Sequence, residues 1–373
     1  MSPPPDESPA AAAVLPRAAI GSRLPALRDA AFPVGLVLLF VLLVLLSVAR
    51  NGAVGTGTEI VIGLQLGATY ALIAVGYTMV YGIIELINFA HGDVFTLSGF
   101  YAIFIVMASD RIGLPIDGLA TQHGIGGIIA AFVILLPLTM LAAGITGVLI
   151  ERLAYRRLRN SPRLAALITA IGMSFLLEGI MFAFFIPPGN NLGGNYPTNL
   201  DNWISGTAFT IAGVGIPWKD LFVIVVAAFL MVSVQRYINV SKLGKAMRAS
   251  AQDRDAAQIC GININRTIAA TFFIGSALAA AAGVVYVTHY HVTQWNLGYR
   301  IGIIAFTAAV LGGIGNIVGA GVGGFVIGLI EAFSAAVLPN GGAWSDPIIF
   351  ALLILILTLR PTGLLGLQVP NRA

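Results

Sequence analysis

Charged residues are scarce in this chain. Only 10% of its 373 residues are Asp, Glu, Lys or Arg, whereas 58% are hydrophobic. A soluble domain carries roughly 25% charged residues, so this composition leaves too little polar surface for a water-soluble fold. The sequence is therefore predicted to be an integral membrane protein.

Several chemical groups are also missing. The single cysteine, Cys260, excludes an internal disulfide and a cysteine-based metal site. His289 and His291 form an H-x-H pair, but no H-E-x-x-H motif occurs, and no metal site is predicted. No G-x-x-x-x-G-K-[ST] phosphate loop is present, so no cofactor, ATP included, is expected in this chain. Titratable residues inside the apolar spans are scattered, which gives a membrane enzyme little support.

Long apolar runs are abundant, and they predict helices. Residues 34–48 are apolar on every side, whereas a transmembrane β-barrel needs alternating segments. The 44 glycines suit close helix packing in lipid. The stretch 302–337 is too long for one crossing and is divided by the glycine-rich residues 312–316. The predicted spans cover 33–49, 58–82, 94–109, 126–150, 164–186, 219–238, 267–290, the two parts of 302–337, and 346–359.

Basic residues are distributed unevenly between these spans. Five Arg lie in 151–163 and five Lys or Arg in 241–266, whereas 187–218 has none. Under the positive-inside rule, ten spans with both termini cytoplasmic place every basic loop inside. Eight or nine crossings with a re-entrant element remain an alternative. Residues 1–32 are predicted to be a disordered cytoplasmic tail, and cleavage after the first span, at a signal-peptidase-like Ser47-Val48-Ala49, is a second open alternative.

Polar residues inside or between apolar spans are candidates for a translocation path or its gate, because each is costly in lipid. The alternative is that they cap helix ends or form structural hydrogen bonds. The start of a half-helix after the glycine-rich break could also face a substrate carboxylate, with tight helix packing as the alternative. The candidates are Glu85, Asn88, His91, Asp93, Glu178, Thr307, Asn316 and Glu331.

The segment 241–266 lies between two apolar spans and carries five of the 20 Lys and Arg residues; we call it the polar island. It has good helix formers and no proline from Lys245 to Ile259, and Gly261 can end a helix in the left-handed conformation. Two short helices on the inner membrane surface are predicted. The alternative is a solvated basic loop that only orients the protein or contacts anionic lipid.

The sequence resembles a known family, the permease subunits of bacterial high-affinity branched-chain amino-acid ABC transporters (LivH type). The resemblance runs from about residue 57 to 367 and leaves out residues 1–50. It is carried by the segments GLQLGATYALIAVGYTMVYGII (63–84), INFAHGD (87–93), ALITAIGMS (166–174), 244–263, AFTAAVLGGIGNIVG (305–319) and PTGLLG (361–366).

The resemblance implies an all-α, polytopic helix bundle of about 8–10 transmembrane helices, similar to the many-helix (type II) class of ABC importer permeases. Residues 33–367 would form the permease domain in the bacterial inner membrane. It also implies four partners: a second permease subunit, either another copy of this chain or a different chain, two ATPases that bind ATP and Mg²⁺, and a periplasmic substrate-binding protein. Contact with membrane lipid is expected, whereas binding of nucleic acid is not.

In ABC importers a cytoplasmic loop with an E-A-A-x-x-x-G pattern docks into the ATPase. Here Asp255-Ala256-Ala257 and Gly261 reproduce that spacing, with Asp in place of Glu. The resemblance therefore assigns ATPase coupling to the polar island, where flanking charges would fix the register. Glu85 departs from the family, which has a small residue there. The assigned coupling residues are Lys245, Arg248, Asp253, Arg254, Asp255, Ala256, Ala257 and Gly261.

Two other functions remain open at this level. Permeases of similar sequence serve urea or short amides, and the polar residues named above do not separate these substrates from leucine, isoleucine and valine. A channel or secondary transporter would need no ATPase, and the polar island would then only connect two spans.

Overall fold

A computed structural model describes residues 23–159, 161–185, 195–197 and 203–366, without the side chains of 23–31, 163 and 195–197. Most of the described chain is α-helical, as predicted. Short π-helical or 3-10 turns extend α4 and α5 at Glu151–Tyr155, Arg156–Leu158 and Met181–Phe185. The α-helices are α1 (Arg23–Ile84), α2 (Ala90–Arg111), α3 (Ile116–Gln122), α4 (Gly124–Ile150), α5 (Arg163–Ile180), α6 (Trp218–Val240), α7 (Lys242–Gln252), α8 (Arg254–Ile259), α9 (Ile264–Tyr290), α10 (Leu297–Gly312), α11 (Ile317–Val337) and α12 (Gly341–Leu359).

Helix α1 is a hairpin of two limbs that reverse at Gly52. The backbone there has φ 69° and ψ −178°, which glycine adopts without a steric penalty. The Ser47 and Thr56 hydroxyls lie 2.8 Å apart, and Ser47 also donates to Glu59. Residues nine apart would be separated by about 13 Å along a straight helix. The two limbs therefore hold the two separate spans predicted at 33–49 and 58–82.

Eight segments of the described chain are long and apolar enough to cross a membrane, with α1 counted once. Within the described residues, every predicted span lies on a helix, although α10 has only 16 residues. Gly313 (φ 105°) and Gly315 (φ 91°) separate α10 from α11, so the predicted break is confirmed. Of the predicted tail, residues 1–22 lie outside the described residues, and α1 begins at Arg23.

The core consists of α2, α9, α10, α11 and the second limb of α1. Most of α2, α9 and α11 is buried, whereas α4, α5, α6 and α12 lie at the periphery with large apolar side chains exposed. Helices α1 and α11 approach each other closely. An added Cβ at Gly67 would lie 2.7 Å from Phe325 Cα, and one at Gly328 would lie 2.6 Å from Gly63 O. Small residues thus let these two helices touch backbone to backbone.

Two small antiparallel sheets lie in the connections. β2 (Thr207–Ile211) and β3 (Val214–Pro217) form a hairpin whose turn residues Ala212 and Gly213 both have positive φ. β1 (Asn195–Pro197) pairs with β4 (Val292–Gln294), which follows α9. Helices α7 and α8 follow α6 at the opposite end of the bundle from β2, β3 and β4, and we call that end the α7–α8 end.

Candidate functional site

The polar island forms two short helices, as predicted. Ser241 caps α7 by accepting from Gly244 N at 2.9 Å, and Asp253 caps α8 by accepting from the backbone N of Asp255 and Ala256 at 3.0 Å each. Gly261 ends α8 with φ 82°. Asp253 therefore holds two otherwise free N–H groups at the start of a six-residue helix.

Two of the basic residues in the island donate hydrogen bonds to backbone carbonyl oxygens of the membrane helices. Arg254 donates from Nη2 to Ile83 O at the end of α1, at 2.7 Å. Arg248 donates to Ile238 O and, at 3.4 Å, to Asn239 O in the last turn of α6. These bonds tie the island to the ends of two membrane helices, α1 and α6.

The two faces of α8 differ in exposure. Ala257 is buried, with 4% of its surface exposed, whereas Asp255, Ala256 and Gly261 are exposed, as is Lys245 on α7. Ile259 is 88% exposed at the end of α8. Sequence reasoning missed Ile259; its signal is an apolar residue two positions after the buried Ala257, hence on the opposite side of the helix.

A cavity of about 380 Å³ lies beside the island. Its walls come from residues 250–254, 83–86 and the segment around Tyr155 and Arg159. Glu85 is exposed here, with φ 54°, and is thus separated from the other members of the 85–93 group. Arg159 pairs with Glu151 and donates to Asn265 Oδ1 at 2.6 Å; burial lowers the pKa of Arg159, while Glu151 opposes that shift.

Helix α2 begins inside the bundle. The rings of His91 and Tyr77 lie 4.6 Å apart, and Tyr77 is about 10 Å before the end of α1 at Ile84. The chain therefore runs to the α7–α8 end, returns through the non-helical residues 85–88, and starts α2 beside a point about two turns before the end of α1. Sequence reasoning treated this segment as a loop between spans and did not detect the return.

The start of α2 places three of the predicted path residues among buried partners. Asn88 Oδ1 accepts from Tyr155 OH at 2.9 Å, and Asp93 Oδ2 accepts from Ser174 Oγ on α5. His91 Nε2 and Asp93 Oδ1 are buried without a hydrogen-bond partner in the described chain. An added Cβ at Gly298 would lie 2.7 Å from Asp93 Cα, so only glycine allows α10 to pack this closely on α2.

Glu178 lies one turn beyond Ser174 on α5. It is half-buried on a stripe of the helix whose neighbours Ile171, Phe175 and Phe182 are exposed. Asp93 on α2 thus contacts α5 at Ser174, one turn before the predicted path residue Glu178.

Glu331 belongs to a different cluster. Its carboxylate accepts from Tyr70 OH at 2.6 Å and from Arg300 Nη2 at 3.0 Å, and Arg300 also makes a two-pronged pair with Asp346 at 2.8 Å. The cluster links α1, α10, α11 and α12. Sequence reasoning missed Arg300 and Asp346, although Arg300, Glu331 and Asp346 are the only Asp, Glu, Lys or Arg in residues 267–359.

Thr307 bonds within its own helix, and Asn316 bonds both at the start of α11 and to the segment after α12. Thr307 Oγ1 donates to Ile303 O at 2.8 Å. Asn316 caps α11 by accepting from Gly319 N at 3.0 Å and donates to Leu365 O at 2.9 Å. His289 faces Asp220 at 3.3 Å, and the described residues contain no cluster of three or more His, Cys, Asp or Glu side chains that could hold a metal ion.

The fold and these clusters define a polytopic membrane protein with charged groups buried between its helices. The family model described as the branched-chain amino acid transport system permease component matches residues 59–357. The chain belongs to this family of transport permeases.

Individual relatives agree with this assignment. The chain is 41% identical to the high-affinity branched-chain amino acid permease LivH of Salmonella typhimurium, over 82% of this chain and 93% of the relative. It is 42% identical to the corresponding permease BraD of Pseudomonas aeruginosa, over 83% and 95%. The ribose import permease RbsC of Escherichia coli is 24% identical, over 72% and 75%.

Proposed function

We propose that this chain is the membrane-spanning subunit of an ABC importer that carries leucine, isoleucine and valine across the bacterial inner membrane. Supporting this, the two relatives that are 41% and 42% identical to it over the aligned residues are named as branched-chain amino acid permeases, and each is covered almost completely. ATP and Mg²⁺ bind to partner ATPases and not to this chain, which has no phosphate loop. Urea or short amides are the alternative substrates.

The α7–α8 end faces the cytoplasm in this proposal. The loops at that end hold the five Arg of 151–163 and the five basic residues of the island, whereas the described residues 203–218 at the opposite end include no Lys or Arg. Positive charge concentrates on the cytoplasmic side of membrane proteins. With an even number of crossings, both termini are then cytoplasmic.

ATPase coupling takes place on the exposed face of α8. An ATPase cleft receives Asp255, Ala256 and the protruding Ile259, since a solvent-exposed isoleucine at the end of a short helix is a natural anchor for a partner. Ala257 packs against the bundle from the buried face of α8, and the exposed Asp253 caps the start of the helix. Motion of the ATPase moves α8, and the bonds from Arg254 and Arg248 carry this motion to α1 and α6.

The translocation path runs along α5, between this chain and the second permease subunit. The stripe of Ile171, Phe175, Glu178 and Phe182 has too few partners within the chain to be a core face. A carboxylate on such a stripe is costly in hydrocarbon but stable beside water or another protein. A periplasmic binding protein supplies the substrate and most of the selectivity.

Uptake measurements in cells that carry the whole transport system test this proposal. We expect concentrative uptake of labelled leucine and none of labelled urea. Ile259→Glu should abolish leucine uptake while the protein still inserts, whereas Ile112→Glu, at a 72% exposed residue at the other end of the bundle, should not. Concentrative transport by the isolated chain in liposomes without ATP would refute the proposal.

A further inference from the structure

A groove of about 620 Å³ runs between α6 and α11 on the periphery of the bundle. Its walls are apolar side chains, among them Val232 on α6 and Val318 and Val322 on α11, each exposed. Gly321 leaves its floor without a side chain. An added Cβ there would already lie 3.2 Å from Met231 Sδ, so a larger residue would fill the groove.

One end of the groove is polar. Arg236 and Asn239, both on the last turns of α6, line the groove at the α7–α8 end. Arg236 is exposed and makes no hydrogen bond or ion pair within the described chain. An unpaired guanidinium at the end of an apolar groove is complementary to a ligand that has an anionic group and a hydrocarbon portion.

The dimensions fit one leaflet of a bilayer. The α11 side of the groove, from Ile317 to Phe325, is about 12 Å long at 1.5 Å per residue, and half of a hydrocarbon core is about 15 Å. The apolar part therefore spans most of one leaflet, and Arg236 lies near the level of the lipid headgroups. In the orientation proposed above, this is the cytoplasmic leaflet, which is rich in anionic lipid.

We propose that the α6–α11 groove binds an anionic phospholipid, with an acyl chain along Gly321 and the phosphate on Arg236. A helix from a second copy of the chain fits less well. It would bury the Arg236 guanidinium, which is costly unless that helix also brings a carboxylate to pair with it. Anchoring a lipid between α6 and α11 also places it against α6, the helix to which Arg248 ties the polar island.

The test is native mass spectrometry on the full-length protein, purified with its companion subunits and exposed to equal amounts of phosphatidylglycerol and phosphatidylcholine. The wild-type protein should retain about fivefold more phosphatidylglycerol, the preference expected for one basic residue at a membrane surface. Arg236→Gln should bring this ratio close to one. Lys242→Gln, which removes an exposed cation outside the groove, should leave it unchanged.

A second variant separates the groove from surface charge. Gly321→Leu should reduce retention of both lipids, because it fills the space for the acyl chain. A photo-crosslinking residue at Val232 should label lipid. The proposal is overturned if Arg236→Gln keeps the wild-type preference, if Gly321→Leu retains lipid normally, or if Val232 crosslinks to protein. None of these results depends on transport, so they leave the proposed function to its own test.

Discussion

The contact between α1 and α11 allows a quantitative prediction. At Gly328 an added methyl group would lie 2.6 Å from Gly63 O and closer still to the backbone of Gly67. Backbone atoms cannot rotate away, so Gly328→Ala must separate the two helices. Overpacking of this kind costs about 1–3 kcal/mol. Alanine has about 1 kcal/mol better helix propensity than glycine. Gly328→Ala should therefore be less stable than a Gly→Ala variant at a helix position where the added methyl group contacts no other atom.

Gly172 in the middle of α5 provides that control, because an added Cβ there meets nothing within 4 Å. The assay is equilibrium unfolding of the purified chain in mixed micelles by SDS titration. Gly172→Ala should be neutral or stabilising, and Gly328→Ala should be less stable than Gly172→Ala by about 1–3 kcal/mol. Equal stabilities for the two variants would show that α1 and α11 do not pack through these glycines.

Three further predictions follow from other contacts. Asp253→Ala should cost α8 about 1 kcal/mol of stability, measured by amide hydrogen exchange, and reduce uptake, whereas Asp253→Asn should keep both because asparagine also caps. Arg300→Met should destabilise the chain by about 1–2 kcal/mol in the SDS titration, because the Glu331 and Asp346 carboxylates lose their positive partner. The partial exposure of Arg300 moderates this loss. Unchanged stability would show that the ion pairs of this cluster do not stabilise the chain. A photo-crosslinker at Phe175 should capture the second permease subunit, and one at the equally exposed Phe229 only lipid.

The polar island shows which features can be predicted from local sequence. Helices α7 and α8 follow from helix formers, a capping Asp253 and a left-handed Gly261, all of which act within a few residues. The division of roles inside that element does not follow in the same way. Ala257 is buried and Ile259 exposed because α8 presents one face to the bundle, and that face depends on residues distant in the chain.

The polar residues show the same limit. Asn88, His91, Asp93, Glu178 and Glu331 are conspicuous in an apolar sequence, because each needs a partner in lipid. Sequence could not say which partner each takes. Asp93 meets Ser174, 81 positions away, while Glu331 meets Tyr70 and Arg300, so residues predicted as one group belong to two clusters.

The sequence by itself determined the class of protein and the position of its helices, because span length and apolar composition are local properties set by the thickness and chemistry of the bilayer. Only the tertiary structure decided that α1 folds back at Gly52, that α2 starts inside the bundle, and that an apolar groove with a free Arg236 opens between α6 and α11. Each of these depends on how helices far apart in sequence pack against one another, and the apolar pattern of a single span is nearly the same on every side.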